Sequence, residues 1–76
     1  MKIYLLKRKD YVCYDEYKGF VIAAKNPEAA IKIANDKAAD EGKLWGDVAK
    51  VSVSVIGTAD KSITEPYILL ADFRAG

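Results

Sequence analysis

The residue types that most enzymes use for acid–base and nucleophilic chemistry are sparse in this 76-residue chain. The sequence has no histidine and a single cysteine, Cys13. A Ser-His-Asp or Cys-His arrangement needs an imidazole as its base, so one chain cannot build either. Asp10, Asp15 and Glu16 are close enough in sequence to pair as carboxylates, but so short a chain leaves little room for a substrate cleft. We therefore predict that the protein is not an enzyme and has no catalytic residues.

Metal and phosphate sites are not indicated either. With Cys13 as the one thiol and no imidazole, the chain cannot form a thiolate metal cluster or an intrachain disulfide. Gly19, Gly42, Gly46 and Gly57 are scattered along the chain and do not form a phosphate-binding loop. We predict no cofactor and no metal, and the cysteine content favours a reducing compartment.

The segment Lys9–Lys18 holds the side chains best suited to recognising a partner. Its aromatic and acidic residues include Tyr11, Tyr14, Asp15, Glu16 and Tyr17. Tyrosine gives a large contact area at low entropy cost, so one interpretation is a loop that binds a protein. The other is that the flanking strands extend further and the tyrosines cover the ends of the sheet. Trp45, the only tryptophan, is either a further partner contact or a plug at one end of the core.

A small basic cluster, Lys7-Arg8-Lys9, precedes this segment and has Tyr11 next to it. Phosphate contacts and stacking on tyrosine would be its means of binding nucleic acid. However, acidic residues follow at once, and the whole chain has a formal net charge of only +1. We favour a charged strand end and keep nucleic-acid binding as the third hypothesis.

The element that organises the chain is an amphipathic helix predicted over Asn26–Gly42. Asn26 is a favoured N-cap, and Pro27 suits the first helical position because no amide donor is needed there. Gly42 is the expected C-terminal stop. At about 100° per residue, one line of the helix is made of alanines: Ala30, Ala34 and Ala38. Such a line lets a helix pack closely on a flat surface, and the surface available here is a β-sheet.

Four strands are predicted around the helix, at Lys2–Arg8, Gly19–Lys25, Lys50–Ile56 and Tyr67–Phe73. The order β-β-α-β-β predicts an α+β fold, with a four-stranded, mainly antiparallel sheet and one helix packed on one face. We expect the first and fourth strands at the centre, because they are the most apolar.

The second face of this sheet has no covering layer in the predicted fold. If Ile3 and Leu5 point at the helix, this uncovered face carries a set of alternate apolar residues: Tyr4, Leu6, Ile68 and Leu70. An uncovered apolar face commonly marks an interaction surface.

Length and composition predict one domain over residues 1–76. Hydrophobic residues make up 51% and charged residues 30%, which suits a globular chain. The first residues have too short an apolar run for a signal peptide, and no segment approaches the roughly 18 apolar residues of a membrane span. We predict a protein of the cytoplasm with no membrane partner.

Several stretches together resemble small proteins encoded by bacteriophages and prophages. The matching stretches are Tyr14–Glu16, the helix start Asn26–Ala34, Trp45, Ile56–Ala59 and the ending Asp72–Gly76. Phage proteins of this size and build include inhibitors of host defence, among them anti-CRISPR proteins. The resemblance implies that the protein binds a host effector and thereby blocks the effector's access to nucleic acid or its assembly. The resemblance identifies no binding residue in this chain.

The leading hypothesis is therefore a non-catalytic, phage-derived protein that binds and inhibits a host defence complex, a CRISPR effector in particular, inside the bacterial cell. Its expected contacts are Tyr11, Tyr14, Asp15, Glu16 and Tyr17, with Trp45 next. The first alternative is a structural module that forms a homodimer through its bare sheet face or an edge strand. The second is a weak nucleic-acid binder that uses Lys7, Arg8 and Lys9.

Overall fold

Strands and helix follow one another in the predicted order, β-β-α-β-β. The computed structural model describes residues 1–10, 12, 14–39 and 42–74. Its elements are β1 (Lys2–Arg8), β2 (Glu16–Ala24), α1 (Pro27–Lys37), a 3₁₀ turn (Leu44–Gly46), β3 (Val51–Thr58) and β4 (Tyr67–Arg74). The strands form one four-stranded sheet in which every neighbouring pair is antiparallel. The predicted fold class is confirmed.

The order of strands across the sheet is β3-β1-β2-β4. The expectation that β1 and β4 lie at the centre was therefore wrong for β4, which is an edge strand. Because β1 and β2 already pair as a hairpin, each later strand can join only an outer side of that pair. The apolar character of β4 does not come from burial on both faces, since Leu70 is 61% exposed.

The faces of β1 are also the reverse of the expected assignment, and on β4 the expectation holds for Leu70 but not for Ile68, which packs against the core. Tyr4 and Leu6 are buried against the helix, whereas Ile3 and Leu5 lie on the opposite face. Pairing with β2 determines which residues of β1 face the helix, since Leu6 lies beside Phe20 and Tyr4 beside Ile22. Residues directly opposite each other in a ladder share a face. The core is therefore built from the large residues of both central strands.

The alanine line packs against the sheet as predicted. Ala30, Ala34 and Ala38 are fully buried and belong to the same apolar cluster as the inward residues of β1 and β2. The start of α1 is also as expected. The Oδ1 atom of Asn26 accepts a hydrogen bond of 2.8 Å from the backbone N–H of Ala29, and Pro27 is the first helical residue.

The helix ends earlier than predicted, at Lys37. Ala38 leaves the helical region, with φ −101° and ψ 46°. The chain then folds back, so that the backbone N–H of Trp45 donates to the Oδ1 atom of Asn35 at 3.0 Å. Gly42 does adopt a positive φ of 74°, but in the turn that follows the helix. This return of the chain carries Trp45 onto the buried alanines.

An aromatic row fills the helix-facing side from the 3₁₀ turn to the outer edge of β4. Trp45 meets Phe20 edge to face, Phe20 meets Tyr17, and Tyr17 meets Phe73, each with ring centroids 4.8 Å apart. Such pairs add about 0.5–1.5 kcal/mol each beyond the area they bury. The row connects the core to the end of the sheet where β2 begins and β4 finishes.

Candidate interaction surfaces

The predicted recognition segment divides between a turn and a strand. Because β2 begins at Glu16, before the expected Gly19, Glu16 and Tyr17 are strand residues and only Tyr14 and Asp15 lie in the turn before it. Tyr17 is half-buried in the aromatic row, as the interpretation of extended strands requires. Tyr11 lies outside the described residues.

The turn places an exposed tyrosine against an arginine at the end of β4. Tyr14 is 63% exposed, and the guanidinium carbon of Arg74 lies 4.5 Å from the centre of its ring. The same guanidinium donates from Nη1 to the backbone carbonyl of Val12 at 2.6 Å. We call Tyr14, Asp15 and Arg74 the tyrosine tip. A cation over an aromatic face contributes about 0.5–1 kcal/mol at an exposed site.

The backbone of the tyrosine tip is held as well as its side chains. Asp15 adopts the left-handed conformation with φ 63°, which aspartate tolerates better than most residues. Its N–H donates to the carbonyl of Arg74 at 2.6 Å. Within the tip, Asp15 and Tyr14 are therefore tied to Arg74, the last residue of β4, by a main-chain hydrogen bond and a cation–ring contact. A contact surface ordered in advance loses less entropy when it binds.

Glu16 and Trp45 occupy different surroundings from the tip. The Oε1 atom of Glu16 lies 3.8 Å from Nη1 of Arg8, so the carboxylate is part of an ion-pair group with that arginine. Trp45 is fully buried and contacts Phe20. This is the position expected of a core plug, and a direct contact between Trp45 and a partner would require the core to open.

The basic cluster does not form one surface. Lys7 is exposed on the face opposite the helix, whereas Arg8 is buried on the helix-facing side, and Lys9 donates from Nζ to the carbonyl of Val48 at 2.7 Å. Alternation along β1 separates the first two side chains, because successive strand residues point to opposite faces. The three cations are therefore not arranged to follow a single phosphate backbone.

Arg8 is buried because it is paired. Its Nε and Nη2 atoms donate to the two carboxylate oxygens of Asp10 at 2.6 and 2.9 Å, while the arginine side chain is only 4% exposed. Hydrogen bonds from Arg8, opposed in part by burial, lower the pKa of Asp10 below its usual value. This two-bond pair fixes the start of the loop that leads from β1 to the tyrosine tip.

A second surface is the sheet face that points away from the helix, and it is accessible in part: Leu70 is 61% exposed and Leu5 and Val21 are half-buried, whereas Ala23 is fully buried. We call it the open face. Residues of β1, β2 and β4 that lie side by side form three rows across it: Ile3–Ala23–Tyr67, Leu5–Val21–Leu70 and Lys7–Gly19–Asp72. On β3 the neighbours are small, with Ser54 beside Leu5 and Ser52 beside Lys7. The open face therefore has two apolar rows and one row with a cation and an anion.

The polar row borders a shallow depression of about 440 Å³ above Gly19. Its lining also includes Val12 and Lys18 and the apolar residues Leu5, Val21 and Leu70.

The open face was expected from the sequence, but its composition was not. The placement of Lys7 and Asp72 on either side of Gly19 depends on the strand order and on the shift in register at Lys18. The sequence shows which residues of β1 and of β4 share a face, but it does not show which of the two faces meets the helix.

The described residues form neither a cluster of metal ligands nor a membrane-spanning helix. Across ranges 1–10, 14–39 and 42–74 and residue 12, no three His, Cys, Asp or Glu side chains lie together as metal ligands would. Within the same residues, no helix has the length and apolar character needed to cross a lipid bilayer.

Comparison of the chain with protein-family models, with curated proteins and with solved structures found no significant match to any of them.

Proposed function

We propose that this protein is a non-catalytic inhibitor that binds a protein complex of bacterial host defence, of the kind that anti-CRISPR proteins bind. The phage or prophage origin and the cytoplasmic location belong to the same proposal. The observation that carries it is the tyrosine tip, in which an exposed aromatic ring is held from behind by Arg74.

The physical argument concerns how a small protein can bind tightly. Interface energy is concentrated in a few residues, and tyrosine and arginine are prominent among them. In the tip these two types already contact each other, and the Asp15–Arg74 backbone bond limits how far the turn can move. A partner that packs on the Tyr14 ring therefore meets a surface that is already ordered.

The choice of target depends on the resemblance to phage proteins described above. The residue content supports a binding role, because the chain has no histidine and a single cysteine. An inhibitor of this class acts in stoichiometric amounts. The protein must therefore form a stable complex with its target and turn over no substrate.

The experiment is phage plating on a panel of strains, each of which carries one active CRISPR system that targets the phage. Expression of the protein should restore plaque formation on at least one strain, and Tyr14→Ala should abolish that effect. Loss of a hot-spot tyrosine costs about 2 kcal/mol, or roughly a 30-fold loss of affinity.

The matched control is Tyr67→Ala, which removes another exposed tyrosine from the open face. It should leave protection intact. No protection on any strain would overturn the proposed function, and protection lost in Tyr67→Ala but kept in Tyr14→Ala would overturn the assignment to the tip. Both variants are first shown to be folded by circular dichroism.

A further inference from the structure

We infer that the open face binds a second copy of this chain, in a two-fold symmetric dimer whose axis runs parallel to the strands above β2. This inference does not depend on the proposed inhibitory function. It follows from the pattern of residue types on either side of β2, which is complementary to itself.

A two-fold axis above β2 exchanges β1 of one copy with β4 of the other. Each row of the open face then meets its own reversed image. Leu5 lies opposite Leu70 of the second copy, and Ile3 lies opposite Tyr67. Aliphatic residues therefore meet aliphatic or aromatic residues, and each contact occurs twice, as a symmetric interface requires.

The charged row obeys the same symmetry. Lys7 on β1 and Asp72 on β4 flank Gly19, so rotation about the axis places each lysine opposite an aspartate of the other copy. Both side chains are exposed, and neither forms an ion pair with a described side chain of its own chain. In this symmetric arrangement two identical ion pairs would form, whereas a misaligned copy would place like charges together.

The residues on the axis itself are small or medium in size. Val21 and Gly19 are the β2 members of the middle row and the charged row. Ala23, the β2 member of the third row, is fully buried and offers no surface to the second copy. Small residues at the centre let two sheets approach to the spacing of about 10 Å that is usual for packed sheets. The depression above Gly19 leaves room for the lysine and aspartate side chains to meet across the interface.

This self-complementarity is what favours a second copy over an unrelated partner. A foreign apolar surface would cover Leu5, Val21 and Leu70 equally well. It would have no reason to bring an anion to Lys7 and a cation to Asp72 at positions related by the axis. One sequence supplies both charges at matching places.

The size of the surface sets the strength of the dimer. Three strands of about six residues give a patch of roughly 10–15 Å by 20 Å, from ordinary strand spacing and rise. The area buried between two such patches falls below the roughly 1,200 Å² of a standard stable interface. We therefore expect a concentration-dependent dimer with a dissociation constant of about 10 µM to 1 mM.

The test is sedimentation equilibrium of the whole chain from about 10 µM to 2 mM protein at low salt, with charge-reversal variants. Lys7→Asp and Asp72→Lys each place like charges opposite each other in both symmetric contacts. Each variant should dissociate roughly tenfold more readily than the wild type. The double variant K7D/D72K restores opposite charges and should dimerise as the wild type does.

Mixing the two single variants gives a sharper result. A Lys7→Asp chain carries two anions in the row and an Asp72→Lys chain carries two cations. Their mixture should form a heterodimer at least as strong as the wild-type homodimer. Because Lys7 and Asp72 are both exposed strand residues, circular dichroism should show the same fold in every variant.

Three results would overturn the inference. The first is a wild-type chain that stays monomeric to 2 mM. The second is a dimer whose strength is unchanged in both single variants, which would indicate association through an edge strand. The third is a mixture of the single variants that dimerises no better than either alone. None of these results bears on whether the tyrosine tip binds a defence complex, which plating measures separately.

Discussion

At the scale of single residues, the buried arginine has the clearest energetic role. The guanidinium of Arg8 is almost inaccessible to water and depends on Asp10 for two short hydrogen bonds. Removing one partner of a buried pair leaves the other charge without compensation, which costs more than the net value of the pair. Glu16, at 3.8 Å, compensates only in part.

We therefore predict that Asp10→Asn lowers the free energy of unfolding by about 1–2 kcal/mol at pH 7. The loss should depend on pH. Since the pKa of Asp10 is lowered in the folded state, its stabilising effect is complete above the usual aspartate pKa of 3.8 and disappears as the pH falls through the lowered value. Urea unfolding of both proteins at several pH values between 2 and 7 measures the difference, which should shrink in the acid range.

The matched control for this prediction is Asp36→Asn. Asp36 also pairs with a cation, Lys32, at 3.1 Å, but both side chains are exposed on the helix. Its removal should change stability by less than about 0.5 kcal/mol. Equal losses in the two variants would show that burial of Arg8 does not matter.

A second prediction at this scale concerns Gly19. A Cβ atom added there would lie 2.9 Å from the backbone oxygen of Leu6, closer than such atoms approach without movement of the backbone. Gly19→Ala should therefore destabilise the fold by about 1–3 kcal/mol, in the range of overpacked sites.

Gly57→Ala serves as the comparison for Gly19→Ala. It is also a strand glycine, and an added Cβ would lie 3.9 Å from Cδ1 of Ile3, which is an ordinary contact. Thermal unfolding followed by circular dichroism should show a much lower midpoint for Gly19→Ala than for Gly57→Ala. If the two midpoints agree, the close approach at Gly19 is not a constraint on the sheet.

At the scale of elements, the helix is the best predicted part of the molecule at its start and the worst at its end. The N-cap follows from local chemistry, because Asn26 and Pro27 satisfy or remove donors within one turn. The end depends on a tertiary contact, the bond between Asn35 and the backbone of Trp45. No local pattern signals that contact, so the sequence predicts that the helix ends at Gly42.

The sheet shows the same division between local and non-local information. All four strands lie close to their predicted positions, because short apolar runs and, in β3, strict alternation are local signals. The central place expected for β4 was wrong because hydrophobicity alone does not record which strand pairs with which. The reversed faces have a similar cause, since β1 is apolar on both sides and only its pairing with Phe20 and Ile22 selects the inward one.

The alanine line predicts how the helix tolerates larger residues. Ala34 is fully buried in the middle of α1, so Ala34→Leu must either move the helix away from the sheet or force unfavourable rotamers. The expected cost is about 1–3 kcal/mol. Lys37→Leu, at an exposed position on the same helix, should cost less than about 0.5 kcal/mol. Chemical denaturation of both variants tests this, and equal costs would mean that the helix is not closely packed.

At the scale of the whole molecule, the small size and the exposed apolar residues belong together. A domain of this length buries only about 60% of the surface of its unfolded chain, so stability is limited. Exposed apolar residues such as Leu70 and Phe73 lie on β4, at the edge of the sheet. The sequence predicted that one sheet face would be bare, but not that β4 would be at the edge.

The tyrosine tip is exposed and the core is buried, yet the two are physically connected. Tyr17 and Phe73 extend the aromatic row to the strand residues next to the tip, and Arg74 follows directly in β4. The sequence indicated the tyrosines as a group. The structure divides them, with Tyr17 in the row and Tyr14 exposed.

We propose above all that this protein works by stoichiometric binding through Tyr14. Isothermal titration calorimetry of the purified protein against purified CRISPR effector complexes tests it most directly. We predict a saturable complex of fixed stoichiometry with at least one effector, weakened roughly 30-fold by Tyr14→Ala and unchanged within about threefold by Tyr67→Ala. No binding to any effector, or equal affinities for the wild type and Tyr14→Ala, would contradict the claim.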